Sequence, residues 1–139
     1  MIHAGVTDRR SWLTAASLWL GIFCAGCGNR GTPTYPISGR ISFDGQPVAA
    51  GDVLFVPADP KHGPNAGKIV DGQFHFRAIA GEHRVEIRAL RPIPGVAAVL
   101  GEFPQENYLP TKYHAGSQLG AKVTSEGPND YQFDLTSAP

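Results

Sequence analysis

His83-Arg84-Val85-Glu86-Ile87-Arg88 alternates apolar and charged side chains, and this alternation decides the fold class. A β-strand sends successive side chains to opposite faces, so Val85 and Ile87 share one face while Arg84, Glu86 and Arg88 share the other. The stretch therefore predicts a strand of an antiparallel sheet, with one face on a core and one toward water. Outward from it the pattern recurs. Ile37 and Arg40-Ile41-Ser42-Phe43 alternate and then meet Asp44-Gly45, a tight-turn pair. Lys68-Ile69-Val70 and Phe74-His75-Phe76-Arg77 flank Asp71-Gly72 and predict a hairpin with Phe74 and Phe76 on one face. Ala80-Gly81 turns the chain into the opening stretch. Ala121-Lys122-Val123-Thr124 and Tyr131-Gln132-Phe133-Asp134-Leu135 flank the turn Gly127-Pro128-Asn129, with Tyr131, Phe133 and Leu135 inward. Val53-Leu54-Phe55-Val56 is continuously apolar, which predicts a strand covered on both faces and ended by Pro57.

The 12 prolines and 17 glycines interrupt every candidate helical window after the N-terminal region. Six or seven short strands with turns at this spacing predict an all-β fold, an antiparallel seven-stranded β-sandwich. Phe55, Phe74, Val85, Ile87 and Phe133 are its expected core. Two stretches break the pattern. Ala58 to Gly67 is a polar loop, and Arg91 to Pro110 is a long connection holding the apolar piece Gly95-Val96-Ala97-Ala98-Val99-Leu100. In that connection Val96, Val99, Leu100 and Phe103 either cover a sheet edge or form a partner surface.

The N-terminal region has a different grammar. Arg9-Arg10 precedes an apolar run from Trp12 to Ala25, and the run closes on Cys24-Ala25-Gly26-Cys27. A basic start, an apolar core of this length and small residues at its end predict a secretory signal rather than a membrane span. An uncleaved anchor and ordinary secretion with cleavage nearby are the alternatives. Arg9-Arg10-Ser11-Trp12-Leu13 approaches a twin-arginine pattern, although paired arginines also suit the general secretory route. The Ala25-Gly26-Cys27 ending resembles the lipobox of bacterial lipoproteins. That resemblance implies a signal peptide over residues 1–26, acylation of Cys27, a lipidated tether over 27–36 and a domain over 37–136. Gly28 in place of Asp implies sorting to an outer membrane.

Without residues 1–26 the chain keeps 113 residues, with ten basic and eleven acidic side chains. That length supports one domain with a modest core. A near-neutral balance with no basic stripe argues against nucleic acid as a partner. Cys24 and Cys27 are the two cysteines, so the domain has neither a disulfide framework nor a cysteine nucleophile.

Catalytic constellations are sparse. His62, His75, His83 and His114 form no His-x-His or His-x-x-x-His pair, so neither zinc nor iron has local ligand spacing, and the histidines read as solvated or edge residues. No Gly-x-Ser-x-Gly occurs, Ser117 reads as a turn residue, and Gly63-Pro64-Asn65-Ala66-Gly67 is no phosphate loop. No metal, cofactor or catalytic residue is expected.

The order Ile37-Ser38-Gly39-Arg40-Ile41, Asp44-Gly45-Gln46-Pro47-Val48, Val53-Leu54-Phe55-Val56-Pro57, Asp71-Gly72-Gln73-Phe74 and Ala80-Gly81-Glu82-His83-Arg84-Val85-Glu86-Ile87 resembles the carboxypeptidase regulatory-like domains. Leu109-Pro110-Thr111-Lys112-Tyr113-His114 looks like the version found in small bacterial lipoproteins. The resemblance implies a transthyretin-like (prealbumin-like) sandwich. His83 stands where such domains commonly carry Tyr. Together these readings predict an exported, lipid-anchored envelope protein with a non-enzymatic binding or structural domain, its partners being the membrane and an envelope protein. One rival is a small hydrolase or metal enzyme using His75, His83, His114 and Tyr113. Another is an accessory subunit docking through Val96 to Phe103.

Overall fold

Positive backbone φ is the constraint that sets the turns. Asp44 and Gly45 have φ of 49° and 81°, and Asp71 and Gly72 have 51° and 74°. Two successive left-handed residues match the right-handed twist of flanking strands, and Asp and Gly tolerate that conformation best. The computed structural model describes residues 31–138. Its strands are β1 Thr34–Phe43, β2 Gln46–Pro47, β3 Ala50–Pro57, β4 Asn65–Val70 and β5 Gln73–Ile79. They continue as β6 Gly81–Pro92, β7 Gln105–Asn107, β8 Leu119–Val123 and β9 Asp130–Leu135, with one 3-10 turn at Thr111–Tyr113.

The fold is all-β, a single curled sheet. Hydrogen bonding runs from β9 through β1, β5, β4, β3 and β6 to β8, with β2 on β1 and β7 on β6. Seven strands have five residues or more and lie over the stretches that the sequence predicts, except that residues 65–67, expected as the end of a polar loop, belong to β4 and pair with β3; β2 and β7 have two and three residues, too few to show a period. The expectation of a wholly antiparallel arrangement is corrected at one pair: β9 runs parallel to β1, with Ser38 opposite Asp130 and Phe43 opposite Leu135. Alternation within β9 specifies its buried face but not the direction of its partner.

The curl arises between β4 and β5. They share only the rungs Ile69↔Phe74 and Val70↔Gln73, next to the Asp71-Gly72 turn. Beyond them Phe76 fills the space beside Gly67, where any Cβ would collide with its ring. Asn65 Oδ1 accepts a hydrogen bond from the Ile79 amide at 3.1 Å. Phe55 on β3 meets Phe76 on β5 and Tyr131 on β9, with ring centroids 5.3 and 5.5 Å away. All five expected core residues are buried. Each such side chain contributes roughly 1.5–3 kcal/mol by leaving water.

Two expectations change here. Val53 and Phe55 are buried, but Leu54 and Val56 are only half-buried, because their face carries Glu86 and Arg84 on the neighbouring strand. The sheet begins before residue 37: Thr34, Tyr35 and Pro36 already pair with Ile79, Ala78 and Arg77. A proline is tolerated in such a ladder where its nitrogen faces no partner.

The sheet has two ends. β1 and β6 point the same way through successive antiparallel steps, so Thr34 lies near the start of β6. Thr32 lines one surface cleft with Gly81 and Glu82. Phe43, both Asp-Gly turns and the end of β6 occupy the other end.

Candidate functional site

The connection from Arg91 to Pro110 is more ordered than its lack of periodicity predicts, and it is corrected from a loop to a hairpin arm. β7 pairs with the end of β6 through Leu90↔Asn107, Arg91↔Glu106 and Pro92↔Gln105. The Ile93 amide donates to the Pro104 carbonyl at 2.9 Å. Farther out, Val99 and Glu102 exchange backbone hydrogen bonds of 2.8 and 3.0 Å across Leu100-Gly101. Between those paired positions Ile93 to Ala98 stand opposite only Phe103 and Pro104, and the surplus is taken up in a turn at Pro94-Gly95.

The tip is a third turn with two left-handed residues, Leu100 at φ 54° and Gly101 at 85°. Leucine is a poor choice for that conformation, since its Cβ crowds the following carbonyl. Leu100 is nonetheless 101% exposed, and Val96, Val99 and Phe103 are 42%, 63% and 54% exposed. All four side chains therefore face solvent rather than tucking under the arm.

The arm is bolted at its base by Asn107, whose role sequence reasoning missed, together with Tyr108 and Arg91. Asn107 Oδ1 accepts from the amides of Ala89 and Leu109 at 3.1 and 3.2 Å. Tyr108 packs edge-on against Phe43 at 5.9 Å, its amide donates to the Ala89 carbonyl at 3.1 Å, and the Arg91 guanidinium lies 5.2 Å over its ring. Arg91 also donates to Glu106 at 2.7 Å. The only local signal is a side-chain amide beside an aromatic at Asn107-Tyr108, a pair common in loops generally.

The residues of the rival enzymatic reading have separate partners. His75 is exposed on β5 and pairs in register with Ser38. His83 is corrected from an edge residue to a buried one, 4% exposed, against Phe55 at 5.7 Å. Its Nδ1 lies 2.9 Å from the Gly81 carbonyl and so carries the donating proton, which leaves buried Nε2 without a partner. The His114 ring donates to the Leu109 carbonyl at 3.3 Å.

Tyr113 ties down the C-terminal segment. Its hydroxyl donates to the Thr136 carbonyl at 3.0 Å and accepts from the Thr136 amide at 2.9 Å. The hydrogen bonds with Thr136 hold its pKa below the ordinary phenol value, with Lys112 adding to the effect. Burial pushes Tyr131 the other way, upward. Ser117 is buried and spends its hydroxyl on the Val85 carbonyl and the Leu119 amide, so it pairs with no imidazole. Among the described residues no group of three or more His, Cys, Asp or Glu is placed to hold a metal ion, and no helix is long and apolar enough to cross a membrane. Cys27, the predicted lipidation site, lies outside the described residues.

No protein-family model matches the sequence, and no curated protein matches it. Among solved structures the chain is similar to a DUF3823 family protein from Parabacteroides merdae, with a TM-score of 0.40 and 16% identity. The match covers 76% of this chain and 46% of that one, so this chain spans less than half the length of that protein.

Proposed function

We propose that this is a lipid-anchored envelope protein, exported by the N-terminal signal, acylated on Cys27 and displaying a non-enzymatic binding domain. The observation that carries the proposal is the junction in the chain. Arg9-Arg10, the apolar run and Ala25-Gly26-Cys27 precede the first strand, which begins at Thr34, seven residues after Cys27. A tether that short keeps the domain against its membrane.

The domain is a transthyretin-like sandwich of the carboxypeptidase regulatory-like kind in this reading. Support comes from the two-rung contact of β4 with β5, which lets one half of the sheet fold over the other, and from Phe55 meeting aromatic rings of β5 and β9. The separate partners of His83, His114, Tyr113 and Ser117 favour binding over hydrolysis. One acyl chain binds a bilayer only marginally, so anchoring in this scheme uses a second chain or a second contact.

Metabolic labelling with a radioactive fatty acid tests the anchor. Cys27→Ser is expected to abolish both label and signal removal, whereas Cys24→Ser leaves both intact. Unchanged label in the Cys27 variant overturns the proposal.

A further inference from the structure

From Ile93 to Gly101 the arm reads Ile-Pro-Gly-Val-Ala-Ala-Val-Leu-Gly, nine residues without one ionisable or hydrogen-bonding side chain. Four of the five exposed large hydrophobic residues among those described belong to the arm; the fifth, Val70, is on β4. This is a patch rather than scatter. Leu100 sharpens the point, because a residue that fits the turn poorly is held fully in solvent at its apex.

The shape of the patch restricts what covers it. The tip is convex, so a second copy of the chain would need an apolar hollow to receive it. Arg40, Asp71 and Asp134 line one surface cleft of the domain and Asp59 and Glu82 another, and the cleft over Ala66, Val70 and Phe76 is bordered by Lys68 and Asp71. Tip-to-tip packing of four side chains falls well short of the roughly 1,000 Å² that a stable interface buries. A protein partner is recognised through about one hydrogen bond per 100–200 Å² and through Tyr, Trp or Arg anchors, and no side chain of the nine-residue run supplies either. A bilayer needs apolar area and no directional contacts. Between Pro92 and Gln105 the only charged residue is Glu102, at the turn itself, so the tip has no cation to select anionic lipid, and the carboxylate limits entry to the headgroup boundary.

We infer that the tip formed by Val96, Val99, Leu100 and Phe103 is a membrane-contacting wedge that seats Leu100 in the surface of a zwitterionic lipid bilayer. The inference deepens the lipid-anchored reading and rests on it only for bringing a bilayer within reach. Thr34 and the arm leave opposite ends of the sheet, separated by the twelve residues of β6, roughly 35 Å. Seven residues of tether reach about 25 Å at most. Both footholds therefore meet one membrane when the sheet lies along its surface.

The test uses the full chain in the bacterial envelope, with a diazirine amino acid at Leu100 and, in a control, at the exposed Val70. Ultraviolet irradiation is expected to produce a phospholipid adduct, read as added mass on the tip peptide, at position 100 and not at 70. An adduct to another protein, to another segment of this chain, or to nothing overturns the inference. With the diazirine at Phe103, Val99→Asp and Leu100→Asp together are expected to lower the lipid adduct by at least about tenfold without lowering the melting temperature; an unchanged yield overturns it too. Fatty-acid label on Cys27 is followed in the same cells. Label without a lipid adduct sinks the wedge and leaves the anchor, and an adduct without label does the reverse.

Discussion

Asp71-Gly72 and Leu100-Gly101 are turns of one backbone geometry in opposite surroundings. Both place two successive residues at positive φ, 51° and 74° in the first and 54° and 85° in the second. Gly72 is buried: a Cβ there would meet Pro47 Cβ at 2.7 Å, and its amide donates to the Val48 carbonyl at 2.7 Å. Gly101 has nothing within 4 Å of the same position. The first turn uses Asp, which suits the conformation, and holds the two halves of the curl together. The second uses Leu, which does not, and holds an apolar side chain in water. The lesson is that the first is chosen for folding, whereas the second gives up roughly 1–2 kcal/mol of local fit for a surface.

Four expected outcomes test that contrast, beginning with the largest. Phe74 and Phe103 each lie two residues beyond a turn glycine, one buried and the other 54% exposed. Truncating Phe74 to Ala is expected to remove about 3–5 kcal/mol in denaturant unfolding, while Phe103→Ala stays within about 0.5 kcal/mol. Equal losses would mean that the arm is part of the core.

Alanine at the two glycines separates strain from crowding. Gly101→Ala is expected to lower stability by about 1 kcal/mol, the cost of positive φ alone. Gly72→Ala adds the collision with Pro47 and is expected to cost at least about twice as much by the same measurement.

Exchanging the first residues of the turns reverses a sign. Leu100→Asn is expected to raise the melting temperature, by about 0.5–1 kcal/mol of added stability, because Asn accepts the left-handed conformation. Asp71→Leu is expected to lower it by a similar amount. A Leu100→Asn variant that melts lower would show that the exposed leucine stabilises the fold.

The smallest effect lies at the Asp-Gly end. The Ser42 hydroxyl donates to Asp134 at 2.7 Å and the Gln132 amide at 2.9 Å, and these bonds hold the Asp134 carboxyl below its ordinary pKa. A depressed carboxylate stabilises the fold above its unfolded-state pKa, and the contribution disappears as pH falls through the folded value. Ser42→Ala is expected to move the Asp134 titration, followed by NMR, upward toward the ordinary value. An unmoved midpoint removes Ser42 as the cause.

The chain alone specified the seven longer strands apart from their ends, the inward residues Phe55, Phe74, Val85, Ile87 and Phe133, and the Asp44-Gly45 and Asp71-Gly72 turns. It also specified the apolar chemistry of Val96 to Phe103. Period-2 alternation and left-handed tolerance are properties of neighbouring residues, so they can be read without knowing where the rest of the chain goes. Tertiary structure decided the parallel seat of β9 on β1, through pairs such as Ser38↔Asp130 that are 92 residues apart. It buried His83 under Phe55, although its place in the alternation also suited an edge. It made a hairpin tip of Leu100-Gly101, a pair whose residue types do not announce a turn, and carried that tip to the end of the sheet opposite Thr34. Partner choice and exposure depend on contacts between distant segments, and no local pattern contains them.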